Sequence, residues 1–361
     1  MNTISRHMFM DIPRSAAVML LWIALQPSAL AQINLADADP YLQLGETNLS
    51  RYRVGVSITA SRGPVQNVVA MVAVPYACPE QTVEIVDVDV TSGIEHDYRT
   101  LPQGGARQLL LKIPYLPSGE EAHAIITYEV RTSTIMPPEE TEALTIPTKP
   151  DGKLKRFLGR SPFIETKHSK IKKVVRQVMA ELKSTEEPGV DELDGEEEVT
   201  AKNALASNKL PTSEASITAW QRVEAIYDYV QGAVDYVEGP DKSAVKTLQD
   251  GFGDCQNISA LFVAMCRTHK VPARIVWVHE HNYAEFCLVD AEGKPHWFPC
   301  ESSGTRAFGE MPLARTILQK GDNFRVPERP RDRLRYASNF MVAEGLPGSG
   351  KPKVRYIQQQ L

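Results

Sequence analysis

Apolar residues change their spacing twice along this chain. Up to about residue 147 they recur every second position or in short runs. Tyr52, Val54, Val56 and Ile58 alternate with polar or small residues, a nearly all-apolar run follows at 68–74 and a valine-rich stretch at 83–90, and 109–111 and 125–130 come after. Turn formers separate them: Arg62-Gly63-Pro64, Thr91-Ser92-Gly93, Gly104-Gly105 and Pro117-Ser118-Gly119. Short strands punctuated this way predict a β-sandwich. The period then becomes helical. Ile171, Val174, Val175, Val178, Met179 and Leu182 form one stripe, and Ile217, Trp220, Val223, Ile226, Val230 and Val234 form a second over residues 213–234. A third, Ile258, Leu261, Phe262, Met265 and Cys266, stops before Pro272, because proline has no amide hydrogen and disfavours helix at the residue before it. Strand patterns return at 274–278, 282–289 and 296–299, with a turn at Glu292-Gly293-Lys294. A helix followed by consecutive strands predicts an α+β domain, the helix packed on an antiparallel sheet.

Charge refines the segmentation. Residues 153–176 hold nine Lys or Arg against one acidic residue, Glu165, and residues 186–198 hold eight acidic residues and no Lys or Arg. The first run reads as the solvated face of a helix, with a basic patch for an anionic surface as the sharper alternative. The second, with Pro188, Gly189 and Gly195, reads as a flexible linker. Residues 1–31 carry Arg6 and Arg14, an apolar run at 16–25 and Ala29-Leu30-Ala31, the pattern of a secretory signal peptide cleaved after Ala31, with Met8 or Met10 as alternative starts. The expected organisation is therefore a signal peptide at 1–31, a β-sandwich at 32–147, a basic segment and helix at 148–186, an acidic linker at 187–212, an α+β core at 213–304, and a C-terminal wrap at 305–361 with a strand near 336–342.

With 361 residues and a net charge of −5, the chain is long enough for two domains and gives no reason to expect nucleic acid as a partner. No other stretch is apolar enough for a membrane span, so an exported, periplasmic or extracellular protein is expected. Its cysteines, Cys78, Cys255, Cys266, Cys287 and Cys300, are odd in number, which leaves at least one thiol free.

Cys255 is the candidate for that thiol. Asp254 is a natural N-cap, which places Cys255 in the first turn of the third helix. Unpaired N–H groups and the helix dipole there favour a thiolate. His281, at the start of a later strand, is a candidate base, and Glu301, after Trp297-Phe298-Pro299, a candidate to orient it. Glu285 is the competing carboxylate. It shares a strand face with His281 but lies about 13 Å along it, whereas a residue directly opposite on the next strand comes to about 5 Å.

The residues Gly253-Asp254-Cys255, Ala260-Leu261-Phe262, Arg267, Val271-Pro272-Ala273-Arg274, His281-Asn282-Tyr283-Ala284-Glu285 and Trp297-Phe298-Pro299-Cys300-Glu301 resemble the core of the transglutaminase-like superfamily, over about residues 217–304. The resemblance implies a papain-like fold, with Cys255 on the family's nucleophile, His281 on its base and Glu301 where the family usually carries aspartate. Tyr283 stands where a tryptophan is usual. The expected activity is a cysteine-dependent attack on an amide of a protein or peptide, through a thioester, with hydrolysis favoured over cross-linking and no cofactor or metal. The Cys255 N–H, with a group near Tyr236, is the expected oxyanion site.

Three other readings were open. A binding or scaffold module of the same fold is the main one. A zinc site drawn from His279, His281, Cys287, His296 and Cys300 is the lesser, since their spacing fits no paired ligand motif. Residues 345–351, GLPGSGK, imitate a phosphate loop, but Pro352 stands where Ser or Thr would hold magnesium. Asn48 and Asn257 both head glycosylation triplets, the second inside the third helix.

Overall fold

A computed structural model describes residues 39–102, 104–186, 217–337 and 339–361. The expected signal peptide and acidic linker lie outside the described residues. In chain order the elements are β1 (Gln43–Thr59), β2 (Val65–Val74), β3 (Gln81–Val90), β4 (Glu95–Thr100), β5 (Arg107–Leu116), β6 (Glu121–Met136), α1 (Gly152–Lys155), α2 (Ser169–Glu186), α3 (Ala219–Ala233), β7 (Asp235–Tyr236), α4 (Ala244–Asp250), β8 (Phe252–Gly253), α5 (Cys255–Thr268), β9 (Ala273–Val278), β10 (His281–Val289), β11 (Pro295–Glu301), β12 (Ala307–Phe308), β13 (Ile317–Lys320), β14 (Phe340–Gly345) and β15 (Lys353–Gln360). The fold is α+β.

Two antiparallel sheets, ordered β15-β1-β6-β3 and β14-β2-β5-β4, form the sandwich. Their inward residues share one core, with Val54, Val56 and Ile126 from the first sheet against Val68, Ala70 and Leu111 from the second. Alternation along β1 puts these side chains inside because successive strand residues face opposite ways. Among the described residues the polar strand β4 pairs with β5 alone, at the edge of its sheet. The C-terminal region does more than wrap. β14 pairs with β2 and β15 with β1, so the chain's last residues complete both sheets. Residues 345–351 form the crossing between those strands: Ser349 N–H reaches the Leu346 carbonyl at 2.8 Å and Gly348 adopts a positive φ of 85°.

The second layer system is a five-stranded antiparallel sheet, β12-β11-β10-β9-β13, with helices on one face. Helix α5 is its centre. The sequence pattern marks one stripe, yet residues 257–267 of α5 are all buried, Val263, Ala260 and Ala264 included. The helix has β9 and β10 on one side and α2, α3 and α4 on the others, and a helix enclosed all round is apolar all round. Trp220 of α3 fills the next layer, edge-on to Phe286, Phe298 and Phe308 at ring-centroid distances of 5.4, 5.1 and 4.9 Å.

The sheet continues past residue 304 because β13 pairs with β9. Gln81 of the sandwich brackets that strand, donating to the Ile317 carbonyl at 2.8 Å and accepting from its N–H at 2.6 Å. Asp39–Leu361 accordingly forms one compact unit. Among the described residues, no helix is long and apolar enough to cross a membrane.

Candidate active site

The start of α5 is built by the turn before it. Gly251 closes α4 with φ 71°, a left-handed conformation that glycine adopts without strain. A Cβ on Gly253 would stand 2.8 Å from the Asn257 Cβ, so a side chain there would push the turn off the helix. Asp254 caps the helix, its carboxylate accepting the Asn257 N–H at 2.9 Å. Asn257 is fully buried, its side chain joined to the backbone of Lys242 and Pro240, which closes that glycosylation triplet to modification. Cys255 is thus the first helical residue and partly exposed. Its N–H heads the helix, where no intrahelical acceptor exists.

His281 begins β10. Its Nε2 meets Glu301 Oε2 at 2.6 Å, and the Cys255 thiol acts on the same ring. Burial opposes a charged imidazole, but the bonds to Cys255 and Glu301 outweigh it and push the His281 pKa up to about 9. Burial likewise opposes a charged Glu301, yet the His281 bond and two donors from Ser303, its N–H at 3.0 Å and its hydroxyl at 2.8 Å, hold the carboxyl below its ordinary value. The geometry differs in one respect from a directly opposed pair. The β10–β11 ladder ends at Ala284 opposite Cys300. One further step sets Glu301 beside Tyr283, so its contact with His281 runs diagonally. Diagonal neighbours lie about 7–8 Å apart, a gap that two long side chains close. Glutamate, one methylene longer than aspartate, suits that span.

Glu285 has other partners. It is buried between Arg274, at 2.5 Å, and Lys320, at 2.6 Å, and Lys320 also pairs with Glu80 from the sandwich. Burial alone would neutralise Glu285, but the two cations hold it ionised. Lys320 stays protonated for the converse reason. This cluster joins the sheet to the sandwich, away from His281.

The remaining candidates scatter. His279 Nδ1 bonds the Tyr52 hydroxyl at 3.2 Å, and the buried His296 lies between Asp39 at 2.7 Å and Asp290 at 2.8 Å. Cys287 and Cys300 are buried, and all the thiols are unpaired. Among the described residues no group of three His, Cys, Asp or Glu gathers as metal ligands, and the three histidines of the candidate zinc set each have separate partners.

Tyr236 stands beside the turn before Cys255 because β7 pairs with β8, Tyr236 opposite Gly253. Sequence reasoning missed two neighbours supplied by the C-terminal region. The Tyr336 hydroxyl donates to Gln256 Oε1 at 2.7 Å, and Arg335 donates to the Gln256 carbonyl. Nothing in their spacing signals these roles, since each contact exists only once the chain has folded back. Glu301 also caps the turn at 302–304, accepting from Ser303 as well as meeting His281.

Residues 205–310 match the family model of the transglutaminase-like superfamily, and the chain therefore carries a transglutaminase-like domain there. The crystal structure of a candidate cysteine protease from Cytophaga hutchinsonii superposes with a TM-score of 0.50 at 18% identity, covering 88% of this chain and 92% of that one. That similarity is one of fold and extends over the sandwich as well as the core. A candidate protease from Parabacteroides distasonis aligns with a TM-score of 0.26 at 10% identity over 74% of this chain and 48% of that one, too weak a superposition to bear on the fold. Among curated proteins, none matches.

Proposed function

We propose that this chain is an exported cysteine-dependent amide hydrolase acting on protein or peptide, with Cys255 as nucleophile, His281 as base and Glu301 as the residue that orients and charges the ring. One observation carries the reading. The His281 imidazole is held on Nε2 by a buried carboxylate at 2.6 Å, and the thiol that acts on the same ring belongs to the first residue of α5. A carboxylate on Nε2 stabilises the imidazolium that forms when the ring takes the thiol proton. The sulfur then attacks the amide carbonyl, forming a C–S bond and an oxyanion. The Cys255 N–H, free at the head of α5, can donate to that oxygen. As the C–N bond breaks, His281 returns the proton to the leaving amine, leaving a thioester. Water, deprotonated by the same ring, releases the carboxylic acid and the thiol. Capture by an amine would give transamidation instead.

Export rests on the sequence pattern of residues 1–31. The test is turnover of a fluorogenic casein or mixed-peptide substrate by purified mature chain, with Cys255→Ala and His281→Ala in parallel. Hydrolysis abolished in both supports the assignment. Hydrolysis that persists in Cys255→Ala would overturn it.

A further inference from the structure

Glu301 occupies the last position of β11, just past the end of the β10–β11 ladder, so that ladder does not fix its backbone. The connection at 302–306 then leads to β12. The pairing of Glu301 with Ala307 of β12 closes this corner, and side chains of α3 hold it. The buried Tyr227 hydroxyl donates to the Glu301 carbonyl at 2.6 Å and accepts the Ala307 N–H at 2.9 Å. Gln231, one helical turn further on, donates to the same phenol at 3.2 Å and to the same carbonyl at 3.1 Å. A single hydroxyl therefore clamps both ends of the connection that carries Ser303, the residue whose two donors hold Glu301 Oε1. The phenol donates once and accepts twice, which satisfies a buried hydroxyl. Burial keeps it protonated and so able to donate.

We infer that Tyr227 is a positioning residue of the site: it fixes the backbone of Glu301 so that the carboxylate stays on the His281 ring, with Gln231 as its auxiliary. The inference rests on the Cys255–His281–Glu301 reading above. A merely structural tyrosine would also be buried and bonded. The difference is that loosening Tyr227 changes how strongly Glu301 supports the imidazolium. The ionisable groups facing the pair are Cys255 from α5, Cys300 beside Glu301 on β11, Tyr236 from β7 and Tyr227 itself, with Arg306 lying over the Tyr227 ring at 5.5 Å.

The test is the ring titration of His281 in the full chain, followed by NMR with carbon-labelled histidine and assigned with His281→Gln. Tyr227→Phe should lower the midpoint by about half a pH unit to one unit, the effect of weakening one hydrogen bond to the charged ring. Gln231→Met should lower it less, and Glu301→Gln more than either. Tyr128→Phe removes another buried hydroxyl, one that bonds Tyr98 in the sandwich at 3.4 Å, and should leave the midpoint in place. If Tyr227→Phe does not fold, Gln231→Met decides: a lowered midpoint supports the inference and an unmoved one overturns it. An unchanged midpoint in Tyr227→Phe, with a lowered one in Glu301→Gln, overturns the inference and leaves the triad standing. An unchanged midpoint in Glu301→Gln removes the triad reading and this inference together.

Discussion

Two buried carboxylates flank the β10–β11 region, and exchanging each for alanine should produce opposite failures. Glu285 bridges Arg274 and Lys320 with its side chain almost wholly out of water. Removing it leaves Arg274 without a carboxylate and Lys320 with Glu80 alone. Breaking a buried pair by deleting one partner costs about 3–5 kcal/mol, because the abandoned charge has no water to return to. For a unit of this size the melting temperature should fall by something on the order of 5 °C. Glu301→Ala removes a carboxylate that is nearly as buried, but its main partner is the imidazole of the partly exposed His281. That ring ionises less readily once alone, so the stability lost should be smaller than for Glu285→Ala. The loss falls on chemistry. A hydrogen bond to a charged group contributes about 1.5–3 kcal/mol, which at about 1.4 kcal/mol per decade predicts a roughly 10- to 100-fold fall in kcat/KM. Glu301→Gln should be milder, since an amide still holds the ring. The assay pairs thermal unfolding by circular dichroism with peptide-amide turnover well below the melting range. If Glu285→Ala lost turnover at an unchanged melting temperature while Glu301→Ala kept full turnover, the orienting carboxylate would have been misassigned, though the Cys255–His281 pair would stand.

Iodoacetamide near neutral pH should modify Cys255 well before the other thiols. Cys266, Cys287 and Cys300 are buried, and burial pushes the Cys287 thiol up to about 12; peptide mapping of a short labelling time course measures the order. The raised His281 pKa also links stability to pH. Its contribution is fully present below about pH 6.5 and is lost as pH rises through about 9, so urea midpoints should decline across that window and His281→Gln should flatten the decline. Arg267 donates to the Ala273 and Gly159 carbonyls and pairs with Asp322 at 2.6 Å, both side chains buried. Arg267→Ala should therefore cost about 3–5 kcal/mol, read as a lowered urea midpoint. N-terminal sequencing of the secreted form should begin at Gln32, and a start before residue 16 would refute export by cleavage.

The one-dimensional pattern determined what local chemistry decides. The alternation of β1, the Asp254 cap, the stop at Pro272 and the turn at Gly293 all act between residues a few positions apart. They were therefore legible, and with them the place of Cys255 at a helix start. The order cysteine, histidine, acid also pointed to Glu301, because the β10–β11 hairpin is short and its turn visible. The polar strand β4 and the weakly apolar β15 were not legible. Each is an edge strand paired on one side, so backbone hydrogen bonding, rather than an apolar face, places it. The tertiary structure alone decided the rest. Glu285 and Glu301 are the same residue type on neighbouring strands, and only Arg274 and Lys320 arriving from β9 and β13 separate a structural ion pair from a partner for His281. Tyr227 and Tyr336 have neighbours set by how α3 and the C-terminal region pack. Such contacts depend on distance in space, which a linear pattern does not encode.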